Sequence, residues 1–130
     1  MIKLFQIGDF ISHAGFKLPW KIECDALSKD EWRALARMIM DYQKTPFSKA
    51  VGIPRGGIPL AEALDEYSTR SIDDPVLIAD DVYTTGTSFR QFVSENYPNS
   101  EIIQWCVFAR TPPQNGVKAL FTMPKLATGA

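Results

Sequence analysis

Three short apolar runs constrain this chain most: KAVGI at 49–53, PVLIA at 75–79 and EIIQWCVFA at 101–109. KAVGI reads as a short strand, and PVLIA and EIIQWCVFA as strands buried in a parallel sheet, PVLIA most clearly. Helical patterns stand between and before them. The first begins at SKDEW, where Ser28 and Glu31 have capping-box spacing. Trp32, Leu35, Ala36, Ile39 and Met40 then fall on one helical face, and Pro46 limits the far end. IPLAEALDEY and FRQFVSENY read as two more helices, and KALFT as a last strand. The order helix, strand, helix, strand, helix, strand, strand predicts an α/β fold with a central parallel sheet and helices on its faces.

Residues 1–27 break this alternation. FISHAGFKLPWKIECDAL has extended patches around Gly15 and Pro19 and predicts a small hood of strands and loops beside the 28–130 core. A length of 130 residues suits one domain spanning 1–130. The net charge of -1 leaves no electrostatic footprint for nucleic acid. No apolar run is long enough to span a membrane, and MIKLFQIGDF lacks a leader's apolar core, so a cytoplasmic protein is expected. Cys24 and Cys106 have no metal-ligand spacing and are expected to be buried thiols.

Ligands of open parallel sheets bind outside the carboxyl ends of the strands. Here the first strand runs into Pro54-Arg55-Gly56-Gly57, the second into Asp80-Asp81 and then Thr84-Thr85-Gly86-Thr87-Ser88, and the third into Arg110. The Thr84–Ser88 turn precedes a helix, so free N–H groups and hydroxyls are available for a phosphate. An ordinary Thr/Ser N-cap is the alternative. The adjacent aspartates weigh against it, because two carboxylates side by side repel unless something binds them. They suit a vicinal diol with a divalent cation nearby. A phosphate site beside a diol site describes a ribose 5-phosphate.

VLIADDVYTTGTSF resembles the phosphoribosyl pyrophosphate (PRPP) signature of the type I phosphoribosyltransferases: a hydrophobic strand, two acidic residues, then a hydroxyl- and glycine-rich turn. The resemblance implies a three-layer α/β fold, with Asp80 and Asp81 on the ribose hydroxyls and Thr84, Thr85, Gly86, Thr87 and Ser88 around the 5-phosphate. VGIPRGGIPLAEAL is similar to the family's pyrophosphate loop, usually with a strained or cis peptide, which implies that Arg55, Gly56 and Gly57 face pyrophosphate. A plain tight turn is the alternative for PRGG alone. Asp80, Asp81 and Arg55 are then the catalytic residues, and Mg2+ is the implied cofactor, held by Asp80 and Asp81 mainly through water or PRPP.

Within that family the hood is most similar to orotate phosphoribosyltransferases, through Phe10, Ala14-Gly15, Pro19 and Trp20. The resemblance implies base-binding roles for His13, Trp20 and Arg110. A solvated His13, a core-packed Trp20 and a surface Arg110 remain the alternatives. A guanidinium at Arg110 would suit the carboxylate of an orotate-like base. Family members also carry a long flexible loop before the signature that closes over PRPP, often toward a neighbouring subunit. Only STRSIDD stands here, with Arg70 its one cation. The implied activity is transfer of ribose 5-phosphate from PRPP to a nitrogen base, slowed by the missing loop unless the Arg70 region or a partner chain replaces it. A homodimer stays open, as does a second class of function: a non-catalytic PRPP- or nucleotide-binding regulatory module.

Overall fold

The computed structural model describes residues 4–11 and 17–123, excepting the side chains of 5–11, 17–22 and 25. Helix α1 (Lys29–Tyr42) starts as its sequence dictates. The Ser28 hydroxyl accepts the Glu31 N–H at 3.2 Å, and the Glu31 carboxylate accepts the Ser28 N–H at 2.9 Å. This reciprocal cap satisfies two N–H groups that the helix itself cannot. Trp32, Ala36 and Ile39 are buried along one stripe.

Four parallel strands follow in the order β3-β4-β5-β6: β3 (Lys49–Gly52), β4 (Val76–Tyr83), β5 (Ile102–Ala109) and β6 (Val117–Thr122). Helix α2 (Ile58–Asp65) crosses from β3 to β4, and α3 (Thr87–Asn96) from β4 to β5. Successive strand side chains point to opposite faces, and the core divides accordingly. Leu77, Ala79, Trp105 and Val107 pack with α1 and α2 through Trp32, Ile39, Leu60 and Leu64. Ile78 and Cys106 pack on the other face with Phe89 of α3. The sheet therefore lies between two helical layers. Leu60 and Leu64 are fully buried, each worth roughly 1.5–3 kcal/mol over exposure, and they hold α2 so that its N-terminus stays at the carboxyl edge.

Two connections depart from the helical pattern. Residues 110–116 return from the end of β5 to the start of β6 without a helix, although parallel strands are usually joined through one. Residues 66–75 leave α2 and bond back to the segment before β3: the Thr69 N–H donates to the Phe47 carbonyl at 2.9 Å and the Arg70 N–H to the Ser48 carbonyl at 3.0 Å. Both acceptors precede β3, so this segment lies at the amino edge of the sheet. The hood contains an antiparallel pair, β1 (Phe5–Ile11) with β2 (Lys17–Ile22), irregular between Ile7 and Phe10. Cys24 and Cys106 are both buried and form no disulfide, as expected. Among the described residues no helix is long and apolar enough to cross a membrane.

Candidate active site

The aspartate pair sits inside β4 rather than beyond it, because the strand continues to Tyr83. Before the pair, Leu77 and Ala79 face the α1–α2 core and Ile78 the α3 core. After it, Val82 packs against the first core and Tyr83 in the second. The alternation thus slips by one residue at Asp80-Asp81. Each aspartate holds the next backbone N–H: Asp81 N–H donates to Asp80 Oδ1 at 2.8 Å, and Val82 N–H to Asp81 Oδ1 at 2.8 Å. The carboxylates are fixed by their own backbone.

Asp80 is only 7 % exposed. Burial, then the hydrogen bond and charge of Asp81, push its carboxyl up to about 9. Burial thus favours the protonated form of Asp80, which relieves the repulsion within the pair until a cation binds there. Cys106 stands opposite Asp80 in β5. Burial first, and then the two aspartates, push its thiol up to about 12, so it is no nucleophile.

The Pro54–Gly57 turn meets this pair directly. A Cβ built on Gly56 would fall against the Asp81 carboxylate, within 2.8 Å of its Cγ. One on Gly57 would fall against the Ala79 carbonyl. The turn is held by the Ile53 N–H on that same carbonyl and by the Gly57 N–H on the Ile53 carbonyl, both at 2.9 Å. The Pro54–Arg55 peptide is cis, as the resemblance implies. Arg55 is exposed on this turn. A side chain at position 56 would have to push the Asp81 carboxylate aside, because the turn lies directly against β4 there.

The hydroxyl-rich turn lies at the same edge. Gly86 adopts φ +81°, a left-handed conformation open to glycine at no steric cost, and serves as N-cap of α3. Thr87 and Ser88 already belong to the first turn of the helix. Thr84, Thr85, Thr87 and Ser88 are exposed, while Gly86 is buried. The Thr85 and Thr87 hydroxyls are 2.9 Å apart, and the Thr87 N–H donates to Thr85 Oγ1 at 3.4 Å. Arg90, which the sequence reading passed over, clasps this turn: its guanidinium donates to the Thr85 carbonyl at 3.3 Å and to Thr87 Oγ1 at 3.2 Å. Its spacing was the available signal, since i+4 from the N-cap faces back over the first helical turn.

Arg110 follows the last residue of β5, and its N–H donates to the Tyr83 carbonyl at 2.9 Å. It stands at the carboxyl edge with the other two strand ends, and partial burial lowers its pKa. Trp20 lies in β2 opposite Ile7, and its side chain lies outside the described residues. His13 lies outside them entirely. Arg70 is at the opposite edge, its guanidinium on Asp65 Oδ2 at 2.7 Å. Backbone bonds to Phe47 and Ser48 hold its segment at that edge, away from the strand ends.

A parallel sheet between helical layers, with its polar strand ends gathered at the carboxyl edge, has the architecture of the type I phosphoribosyltransferase fold. Solved structures agree on that fold. The chain is similar to the orotate phosphoribosyltransferase of Aeropyrum pernix, at 19% identity and a TM-score of 0.70, covering 92% of this chain and 88% of that one. It is similar to the UMP synthase of Leishmania donovani, at 18% identity and a TM-score of 0.76, covering 92% of this chain but 34% of that longer one. It is similar also to the purine phosphoribosyltransferase of Pyrococcus horikoshii, at 21% identity and a TM-score of 0.53, covering 73% and 82%. No protein-family model and no curated protein matches the sequence.

Proposed function

We propose that this protein transfers ribose 5-phosphate from PRPP to a nitrogen base, orotate-like in character, with release of pyrophosphate. The observation that carries the reading is the contact of Gly56 with the Asp81 carboxylate. It brings the turn assigned to pyrophosphate against the pair assigned to the ribose, as one ligand spanning both would need. In the reaction the bond from the ribose anomeric carbon to pyrophosphate breaks, and its electron pair leaves with pyrophosphate. A base nitrogen supplies the pair for the new bond, and any proton on that nitrogen passes to solvent. Positive charge builds on the sugar. The chain's task is to place the base nitrogen and to hold the developing negative charge on the leaving group. Arg55 and the N–H groups of its turn suit the second task, and Asp80 and Asp81 suit the ribose hydroxyls.

Among the described residues no three His, Cys, Asp or Glu side chains cluster as a metal site. Two carboxylates alone fit an ion whose remaining ligands are PRPP oxygens and water, as Mg2+ prefers. Asp80 and Asp81 would hold such an ion, which supplies charge neutralisation at pyrophosphate.

A second reading, a PRPP-binding module without useful catalysis, is favoured by one observation. The segment between α2 and β4 is bonded to the amino edge and cannot fold over the ligand. Water then stays near the leaving group and weakens each electrostatic contact. A missing charged donor there costs on the order of 10²–10³ in rate, by analogy with an oxyanion-hole donor. Turnover well below the ~10 s⁻¹ median of enzymes is expected. The deciding experiment mixes the protein with Mg2+, PRPP and a panel of bases and follows pyrophosphate release in a single turnover. Release stimulated by one base supports the transferase; release no faster than PRPP decay with every base favours the module.

A further inference from the structure

The phenol oxygen of Tyr83 lies between two parts of the candidate site. Tyr83 is the last residue of β4 and is 5 % exposed. A Cβ on Gly86 would come within 2.9 Å of that oxygen and 3.0 Å of ring atom Cε2, so the ring lies against the glycine that opens α3. The same oxygen accepts the Gln114 N–H at 3.2 Å. Two further bonds run alongside. The Tyr83 carbonyl accepts the Arg110 N–H at 2.9 Å, and the Thr84 carbonyl accepts the Thr111 hydroxyl at 2.9 Å. The helix-free connection 110–116 is thus fastened at three points to the end of β4 and the start of the hydroxyl-rich turn. The Tyr83 ring is also tilted against Phe89 in the first turn of α3, with centroids 6.3 Å apart.

We propose that Tyr83 is a positioning residue that couples the phosphate turn to the Arg110 segment, so that a bound sugar phosphate tightens binding of a carboxylated base. The proposal rests on the function proposed above. The turn presents four exposed hydroxyl residues around one buried glycine, and that glycine is covered by Tyr83. An anion drawn onto the turn's N–H groups orders the backbone around Gly86 and holds the ring against it. The ring's oxygen then holds Gln114, and with it the connection that begins at Arg110. Ordering supplied by the first ligand need not be supplied again by the second, which is a coupling free energy and is reciprocal. A phenylalanine would fill the same space, so the coupling resides in the hydroxyl.

The test is calorimetry on the whole protein, titrating orotate with and without saturating ribose 5-phosphate, which lacks the leaving group and cannot react. In the wild type, the sugar phosphate is expected to tighten orotate at least about fivefold, the lower end of ordinary couplings. In Tyr83→Phe, ribose 5-phosphate alone should bind within about twofold of wild type, and the coupling should fall below about twofold. Thr111→Val, at an exposed site, should weaken the coupling partway and serves if Tyr83→Phe fails to fold. Protection of the Gln114 and Arg110 amides from hydrogen exchange should rise with ribose 5-phosphate in the wild type and not in Tyr83→Phe. Two bound ligands without coupling, full coupling in both variants, or no binding of orotate beside bound ribose 5-phosphate would overturn the proposal. A wild type that does not bind ribose 5-phosphate at all overturns the proposed function itself.

Discussion

The two edges of the sheet are built from the same kinds of residue and behave in opposite ways. At the amino edge, charges are paired and mostly exposed, with Asp65 half-buried. Asp65 accepts the Ala50 N–H at 2.9 Å and the Arg70 guanidinium at 2.7 Å, Thr69 donates to Asp74, and Lys49 lies over the Tyr97 ring. A cavity of about 420 Å³ opens there, lined by Lys49, Asp73, Asp74, Tyr97 and Glu101 among others. At the carboxyl edge a carboxyl group is buried, a glycine is left-handed, and the Pro54–Gly57 turn lies so close to β4 that a methyl group on Gly57 would meet the Ala79 carbonyl. The first edge closes the fold with solvated groups. The second keeps features that cost stability, and such features mark a site more surely than a cavity does.

The largest effect should come from filling the close approach. Gly56→Val is expected to displace the Asp81 carboxylate and abolish PRPP binding by calorimetry, while circular dichroism stays native. Gly57→Ala, against the Ala79 carbonyl, should cost roughly 1–3 kcal/mol of stability as overpacking, read from urea denaturation. A Gly56→Val protein that binds PRPP normally would mean that the turn and the aspartate pair do not share a ligand.

Removing the pair's charge comes next. Asp80→Asn with Asp81→Asn should weaken PRPP binding by roughly 1.5–3 kcal/mol for each lost hydrogen bond to a charged group, with the fold intact. Equal PRPP affinity with and without Mg2+, in wild type and variant alike, would remove the metal from the reading.

Arg110→Ala should reduce use of orotate more than use of uracil, because only orotate offers a carboxylate to a guanidinium. Equal losses in kcat/KM for the two bases would show that Arg110 does not read the carboxylate.

The pH dependence sharpens the comparison further. Burial holds the Asp80 carboxyl at about 9 in the fold, against roughly 3.9 in an unfolded chain. The fold favours the protonated form, so this contribution is fully present below about pH 4 and is lost as pH rises through about 9. Stability should fall with rising pH between those limits, by at most about 1.4 kcal/mol per pH unit. Asp80→Asn should flatten the slope in denaturation at pH 5, 7 and 9. An unchanged slope would mean that Asp80 is ionised in the fold.

The smallest effect is expected at the amino edge. Arg70→Ala breaks an ion pair whose arginine is 68% exposed, and pairs of that kind contribute about 0–1 kcal/mol. PRPP binding should not change. A marked loss of turnover would return Arg70 to the site.

Much of this could be read before any coordinates. The α1 cap needs only Ser28 and Glu31 three residues apart, and the strands need only their apolar runs, because both depend on neighbours in the chain. The acidic pair and the hydroxyl turn are likewise contiguous, so their chemistry was legible as a motif. Arg90 and Tyr83 were not singled out. Each acts across a turn or a connection, and its residue type is ordinary until the partner is placed.

Sequence alone determined the order of elements, the parallel sheet and the clustering of polar strand ends at one edge, since hydrophobic period and strand direction are local properties that propagate. Only the tertiary structure decided which contacts those ends make. The seating of Gly56 on Asp81, the burial of Asp80 that raises its pKa, the bond from Gln114 to the Tyr83 oxygen, and the tethering of the Arg70 segment to Phe47 and Ser48 all depend on distances between residues far apart in the chain. Such distances are set by packing of the whole sheet and its two helical layers, and no local pattern in the chain encodes them.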